Sequence, residues 1–598
     1  MLNKSKIVLF LILFIGLFLR LYGNNWDQGW HLHPDERFLT MVGAAVKIPS
    51  ALDQYLNQYK SSFNPVNKGH AFYVYGTFPI LLNKAVAQYL YNDTYELFNL
   101  QGRMLSAIAD FLIIIIVYKL IELVENKLKF NRSIKYCAAF FYAIAVLPIQ
   151  LSHFYTVDTF LSFFCWLSLY FAVKLVVDSQ KSDMLHTTCS ICLSALFLGL
   201  AFACKVSALY FAPLIGLFIF FSIIMSLTNA SLDPSAHRLR MTKGKMCHSE
   251  RSEESSECNE RKISVLFVFI GVSCFILFCY LALRLGSPYY FETNNIFNPQ
   301  LSKIFINNIQ TLKSFDNPQA LFPPAIQWLS KSYDFSIKNI VFFGVGPFYF
   351  LLSLGGVFLL LKKKNIYITL CILWSVLFLT YQSVQFAKTM RYLIFLYPFL
   401  AIFAAVGLSY VFTILKKLHD VTRYTLYVIC YALVLVWPLA FMSIYTKDHS
   451  RVAASKWIYE NITQNSKITY EYWDDPLPLM VQDPTTRNYQ GITIHIFDPD
   501  TKEKWDIINN QLSEADYYIM SSNRGWGSIV QVPDRYPIAS QFYKDMLAAK
   551  ENFTLVKEFS SYPTLRYLGI PLDFPDQWSE EAFTVYDHPL VYIFKKNK

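Results

Sequence analysis

The feature that most restricts this chain is a recurring apolar run of about 20 residues, the length that crosses a hydrocarbon core, set off each time by a short charged loop. Backbone polar groups find no water in that core, so such runs fold as spanning helices. Eleven segments qualify, with boundaries near 7–22, 103–124, 134–151, 159–177, 188–204, 207–227, 263–283, 339–361, 365–384, 390–415 and 424–446. Composition agrees: 54% of the 598 residues are hydrophobic and 16% charged, where soluble domains carry roughly 25% charged residues.

Loop charge orients the bundle. With the N-terminus in the cytoplasm, Lys127, Lys129, Arg132 and Lys135, then Arg238, Arg240, Lys243 and Lys245, then Lys362 to Lys364, then Lys416, Lys417 and Arg423 all fall on the inner side, as the positive-inside rule requires. The net charge of +10 is thereby explained without a nucleic-acid partner. Lys4 and Lys6 followed by an apolar run resemble a signal peptide, but no small-x-small cleavage site follows, so this segment reads as a retained first span. The run 70–92 is broken by Asn83, Lys84 and Gln88. A span there would invert every later loop, so an amphipathic helix lying in the interface is expected.

The expected fold is therefore an α-helical polytopic membrane bundle over 1–446, with a first outer loop at 23–102. The Ser- and Glu-rich stretch 244–262 reads as a disordered cytoplasmic insertion. From 447 to 598 the apolar runs shorten. Lys467-Ile-Thr-Tyr, Asp516-Tyr-Tyr-Ile-Met and Leu590-Val-Tyr-Ile-Phe alternate with turn signals such as Asp474-Asp-Pro, and Ser450 to Glu460 reads as a helix. That texture is a soluble, extracytoplasmic, mixed α/β domain. The long polar stretches carry no cysteine, apart from Cys247 and Cys258 in the insertion, which argues against a disulfide framework.

Ionisable residues at the non-cytoplasmic ends of spans call for a reason. Six segments bring them to one face: Arg20; Asp35 and Glu36 in His33-Pro-Asp-Glu-Arg; Arg103; His153 and Asp158; Lys205; Lys388 and Arg391. Each has an ordinary explanation. Asp35-Glu36 would cap a helix from Arg37 to Val46, Asp158 would cap the fourth span, and the cations would snorkel. Those explanations leave the shared face unaccounted for. Sugar transfer from a lipid phosphate needs a carboxylate to take a proton, cations for the phosphate and an apolar groove for the prenyl chain. A flippase or transporter for a lipid-linked sugar is the alternative, with Asp110 as its one intramembrane acid; a non-catalytic assembly protein is a third reading. Transporters tend to show internal repeats, and none is found here.

His33-Pro-Asp-Glu-Arg-Phe, Tyr75-Gly-Thr-Phe-Pro, Gly102-Arg-Met-Leu-Ser, Gln150-Leu-Ser-His-Phe-Tyr-Thr-Val-Asp, Gly199-Leu-Ala-Phe-Ala-Cys-Lys and Met390-Arg-Tyr-Leu-Ile-Phe-Leu-Tyr-Pro, in that order, resemble the fold-C (GT-C) family of integral-membrane glycosyltransferases. The nearest branch is that of the protein O-mannosyltransferases and lipid A aminoarabinose transferases. The resemblance implies a polyprenyl-phosphate sugar donor, membrane lipids as surroundings, and Asp35 as catalytic base with Glu36 and Asp158 beside the reacting centre. It implies that Lys205 and Arg391 meet the carrier phosphate, with Arg103 a weaker candidate; His153 and Lys388 complete the expected substrate-binding set. Some members use a divalent ion, for which His33, Asp35, Glu36 and Asp158 are the candidate ligands. The absence of a glycine- or tryptophan-rich sequon motif points to a single sugar, and the MIR-type repeats of eukaryotic protein mannosyltransferases are also absent. The expected location is a bacterial-type plasma membrane. The pattern Phe583-Thr-Val-Tyr-Asp-His-Pro resembles the tail of similar bacterial proteins and is assigned no chemistry.

The topology has a direct check. Alkaline phosphatase needs an oxidising compartment, so a bacterial fusion after Lys598 is expected to be active and one after Lys363 inactive; the reverse pattern would overturn the orientation.

Overall fold

The structure, a computed structural model, describes residues 4–90, 92–178, 184–230, 269–320, 322–481 and 488–597. The candidate insertion 244–262 lies outside the described residues, as do Cys247 and Cys258. Helices are labelled here as α1 (Lys4–Leu21), α2 (Pro34–Ala45), α3 (Phe78–Tyr89), α4 (Tyr95–Val124), α5 (Ser133–Ala143), α6 (Val146–Ser152), α7 (Val157–Asp178), α8 (Met184–Cys204), α9 (Ala212–Ala230), α10 (Phe269–Gly286), α11 (Phe335–Gly344), α12 (Pro347–Leu361), α13 (Ile366–Val384), α14 (Tyr397–Leu415), α15 (Asp420–Met442) and α16 (Ser450–Asn461).

Among the described residues, seven helices are long and apolar enough to cross a membrane, or nine if two bent pairs each count as one span. The membrane bundle is as expected, and the count of about eleven is not confirmed among the described residues. α1 has the length but carries Lys4, Lys6 and Arg20 in its 18 residues. α9 is 19 residues long, of which Ala212–Ser222 are described in full. The expected spans 134–151 and 339–361 are both broken: α5 meets α6 at 54°, and α11 meets α12 at 114°. Proline explains where the second halves begin. Pro148 sits in the first turn of α6 and Pro347 opens α12, positions where a missing N–H costs a helix nothing. The run 70–92 yields α3, whose 12 residues are too few to span.

Helix packing supplies the membrane part's cohesion, since lipid gives no hydrophobic drive between helices. α12 and α14 cross backbone to backbone: a Cβ on Gly356 would stand 1.8 Å from the Phe403 carbonyl oxygen. Arg20 does not end α1 as an interface residue. Its Nε donates to Asp110 Oδ2 at 2.6 Å, both side chains fully buried. Its other nitrogens reach the Gly16, Ala143 and Tyr142 carbonyls, and the Tyr142 hydroxyl donates to the second Asp110 oxygen at 2.6 Å. Asp110 is thus a structural tie between α1, α4 and α5.

The C-terminal part contains a five-stranded sheet: β1 (Lys467–Glu471), β2 (Gln490–Ile494), β3 (Tyr517–Met520), β4 (Phe553–Phe559) and β5 (Val591–Lys596), in order β2-β1-β3-β5-β4. β1 is parallel to β2 and β3, and β5 is antiparallel to β3 and β4. Alternation along β3 sends Tyr518 and Met520 into one core with Trp505 and Phe542. Tyr517 and Ile519 enter a second core with Ile458 of α16. The three apolar runs read as strands are β1, β3 and β5, and the helix read at Ser450 is α16.

Removing one partner of a buried ion pair costs about 3–5 kcal/mol, while an apolar replacement of both is tolerated. Arg20→Ala is therefore expected to lower the melting temperature in detergent sharply, and the double variant Arg20→Leu/Asp110→Leu to recover most of the loss.

Candidate active site

Asp35 and Glu36 occupy the first turn of α2, but the cap lies two residues before Asp35: the Glu36 amide donates to His33 Nδ1 at 3.4 Å. Pro34 opens the helix behind it. Burial pushes His33 down to about 4, so its ring is neutral and free to accept that bond. Consecutive positions on a helix point about 100° apart, and the two carboxylates accordingly take different partners.

Glu36 turns inward. Arg103 of α4 donates through Nε and Nη2 to its two oxygens at 2.6 and 2.8 Å. The same guanidinium donates to both oxygens of Asp27 at 2.9 and 2.8 Å and to the Asn24 carbonyl at 3.0 Å. All five donors of Arg103 are spent, and the group lies over the Trp26 ring at 4.7 Å. Burial opposes the charge on Asp27, but Arg103 outweighs it and holds that carboxyl at about 2. Arg103 and Glu36 therefore form a closed structural node and are corrected from phosphate binding and catalysis. Asp27 was not singled out in the sequence.

Asp35 turns the other way and bonds Arg391 Nη1. Both side chains are about a quarter exposed, at 27% each. Burial raises the Asp35 carboxyl, but Arg391, then His33 and Lys205, outweigh it and hold it at about 2. Arg391 rides on the 3-10 turn Met390–Leu396 that leads into α14. Asp158, in the first turn of α7, accepts from Lys205 Nζ at 2.8 Å. Lys205 follows the last turn of α8 and sits 4.9 Å above the Tyr392 ring. Gly76 brings Tyr75 alongside: its amide donates to the Cys204 carbonyl at 2.9 Å, and a Cβ there would stand 1.8 Å from the Ala203 oxygen. Only glycine permits that approach.

Asp158, Lys205 and Arg391 line a cavity of about 240 Å³ together with Tyr75, Tyr210 and Tyr392. Asp158 and Arg391 also border a second chamber of about 20 Å³. Its far wall comes from the C-terminal part of the chain: Glu580, Phe583 and Tyr586. Burial pushes Glu580 up to about 7. These residues belong to the tail pattern or lie just before it, and nothing in their local sequence signals a site.

Two expected ligands sit elsewhere. His153 is fully buried, its ring nitrogens 2.8 and 2.9 Å from the Ile149 and Tyr22 carbonyls, and stacks on Tyr445 at 4.0 Å. Lys388 folds back on its own loop, donating to the Gln385 carbonyl at 2.8 Å. The expected metal ligands do not converge either. Among the described residues no three His, Cys, Asp or Glu side chains are grouped to hold an ion. Asp35, Glu36 and Asp158 each face a cation, and His33 caps a helix.

Residues 74–250 match the family described as dolichyl-phosphate-mannose-protein mannosyltransferase. The whole chain superposes on the oligosaccharyltransferase of Archaeoglobus fulgidus with a TM-score of 0.50 at 11% identity, covering 99% of this chain and 88% of that one. The chain has the fold of that membrane oligosaccharyltransferase, and part of it, 74–250, carries the mannosyltransferase family's pattern. It is also similar to ArnT from Cupriavidus metallidurans, at TM-score 0.41 and 11% identity over 99% of this chain and 98% of that one. Against the Pmt1-Pmt2 complex of S. cerevisiae the values are 0.31 and 15%, over 47% and 35%. No curated protein sequence matches it.

The two arginines are separable by experiment. Arg103→Ala strands two buried carboxylates and is expected to cost about 3–5 kcal/mol of stability, read as a melting-temperature drop in detergent. Arg391→Ala, at a part-exposed pair, is expected to melt close to wild type.

Proposed function

We propose that this protein is a glycosyltransferase that moves a single sugar from a polyprenyl-phosphate carrier to an acceptor on the extracytoplasmic face of the membrane. The observation that carries this reading is the meeting of Arg391, Lys205 and Asp158 around one cavity, with Asp35 paired to Arg391 at its edge, from four distant parts of the chain. The description of the family matched at 74–250 names a dolichyl-phosphate sugar, which supports the donor class.

In this reading the donor phosphate enters the cavity between Arg391 and Lys205. Two cations there stabilise the charge the phosphate gains on leaving. Asp35 accepts the proton of the acceptor's nucleophile, whose lone pair attacks the anomeric carbon. The bond from that carbon to the phosphate oxygen breaks, and its electron pair stays on the phosphate. Before the donor binds, Arg391 holds Asp35 too weakly basic for this step. A phosphate competing for Arg391 loosens that hold, so the base strengthens when the donor is in place. The acid a transport route would use, Asp110, is instead committed to Arg20, which favours transfer over transport.

Asp35→Asn is expected to lower transfer by at least the 10²–10⁴-fold typical of losing a general base. The assay supplies radiolabelled lipid-linked sugars of the source cell to membranes holding the variant, with folding checked by melting temperature. Full activity in that variant would remove Asp35 from the reaction. Movement of labelled lipid across vesicles without sugar transfer would favour the transporter.

A further inference from the structure

The C-terminal part of the chain holds the backbone beside both members of the Asp35–Arg391 pair, one residue before Arg391 and two residues after Asp35. On one side, Glu580 is buried, at 2% exposure, and its carboxylate accepts the amide N–H of Met390, the residue before Arg391. Glu580 is itself held from behind: its own amide donates to Asn339 Oδ1 of α11 at 2.9 Å. On the other side, Arg37, two residues after Asp35, donates to Asp475 Oδ1 at 3.1 Å. The second Asp475 oxygen accepts from Arg451 of α16 at 2.7 Å, and Arg451 reaches Asp474 at 2.6 Å. The segment just after Glu580 is anchored to the bundle. Gln150 of α6 donates to the Phe583 carbonyl at 2.7 Å, and Asp587 accepts from Tyr445 at 3.0 Å.

Neither contact is needed to hold the sheet together, since both leave the C-terminal part for the bundle. Each bears on the backbone that carries one member of the pair. A carboxylate one residue from Arg391 also lies within its field, so the same group sets both where the guanidinium sits and how strongly it is held. We propose that the C-terminal domain is the positioning element of the Asp35–Arg391 pair, with Glu580 placing the Arg391 turn and Asp475 placing the α2 turn that bears Asp35. This rests on the reading of the pair given under the proposed function.

The test uses the full chain and two readouts. The first is binding of a long-chain polyprenyl phosphate, followed by its shift of the melting temperature in detergent. The second is transfer of radiolabelled lipid-linked sugar in source membranes. Glu580→Ala loses the acceptor for the Met390 amide and is expected to weaken phosphate binding about tenfold. Glu580→Gln keeps an oxygen there and is expected to bind within about threefold of wild type. Asp475→Ala, at a partly exposed position, is expected to leave polyprenyl-phosphate binding unchanged and to lower turnover about tenfold, because it frees Asp35 and leaves Arg391 in place. Wild-type turnover in Asp475→Ala overturns the proposal by itself, whether or not Glu580→Ala folds. Unchanged binding in a folded Glu580→Ala overturns it as well. Arg391→Ala and Asp35→Asn separate the two levels. If those variants bind and transfer like wild type, the reading of the site falls; if they fail while the Glu580 and Asp475 variants behave normally, only the positioning role falls.

Discussion

Arg103 has five N–H donors, and every one is used inside the protein, on Glu36, Asp27 and the Asn24 carbonyl. A buried guanidinium is tolerated only when its charge is matched and its donors are filled, so this node admits one arrangement of the first loop against α4. Glu36 is locked inward, and the helical turn then aims its neighbour Asp35 toward Arg391. The direction of Asp35 thus follows from the anchoring of Glu36.

The second constraint is close backbone contact. Gly76 lies against the end of α8 and Gly356 against α14. In a bundle without a hydrophobic drive between helices, such approaches and interhelical hydrogen bonds supply the adhesion. They also hold Tyr75 and Lys205 at one wall of the cavity. The two bent pairs belong to the same scheme. α6 and α11, set at an angle to their continuations, present Gln150 and Asn339 to the C-terminal segment.

Charge pairing is the third constraint. Asp35 is matched to Arg391 and Asp158 to Lys205, so each of these two carboxylates faces a cation that comes from a distant part of the chain.

Hydropathy and charge along the chain determined the membrane class, most of the helices, and three of the five strands, because apolar periodicity is a local property. The motif order also brought forward Asp35, Asp158, Lys205 and Arg391, which do meet. Sequence alone overcounted unbroken spans, since a run of apolar letters does not reveal a 54° or 114° break. It also grouped Glu36, Arg103 and His153 with the reactive residues. A buried carboxylate with a guanidinium and one facing a cavity look the same as letters; only the partner, distant in the chain, tells them apart. Glu580 and Asp475 were invisible for the same reason: their importance comes from touching residues 190 and 438 positions away, which no local pattern encodes and tertiary packing alone decides.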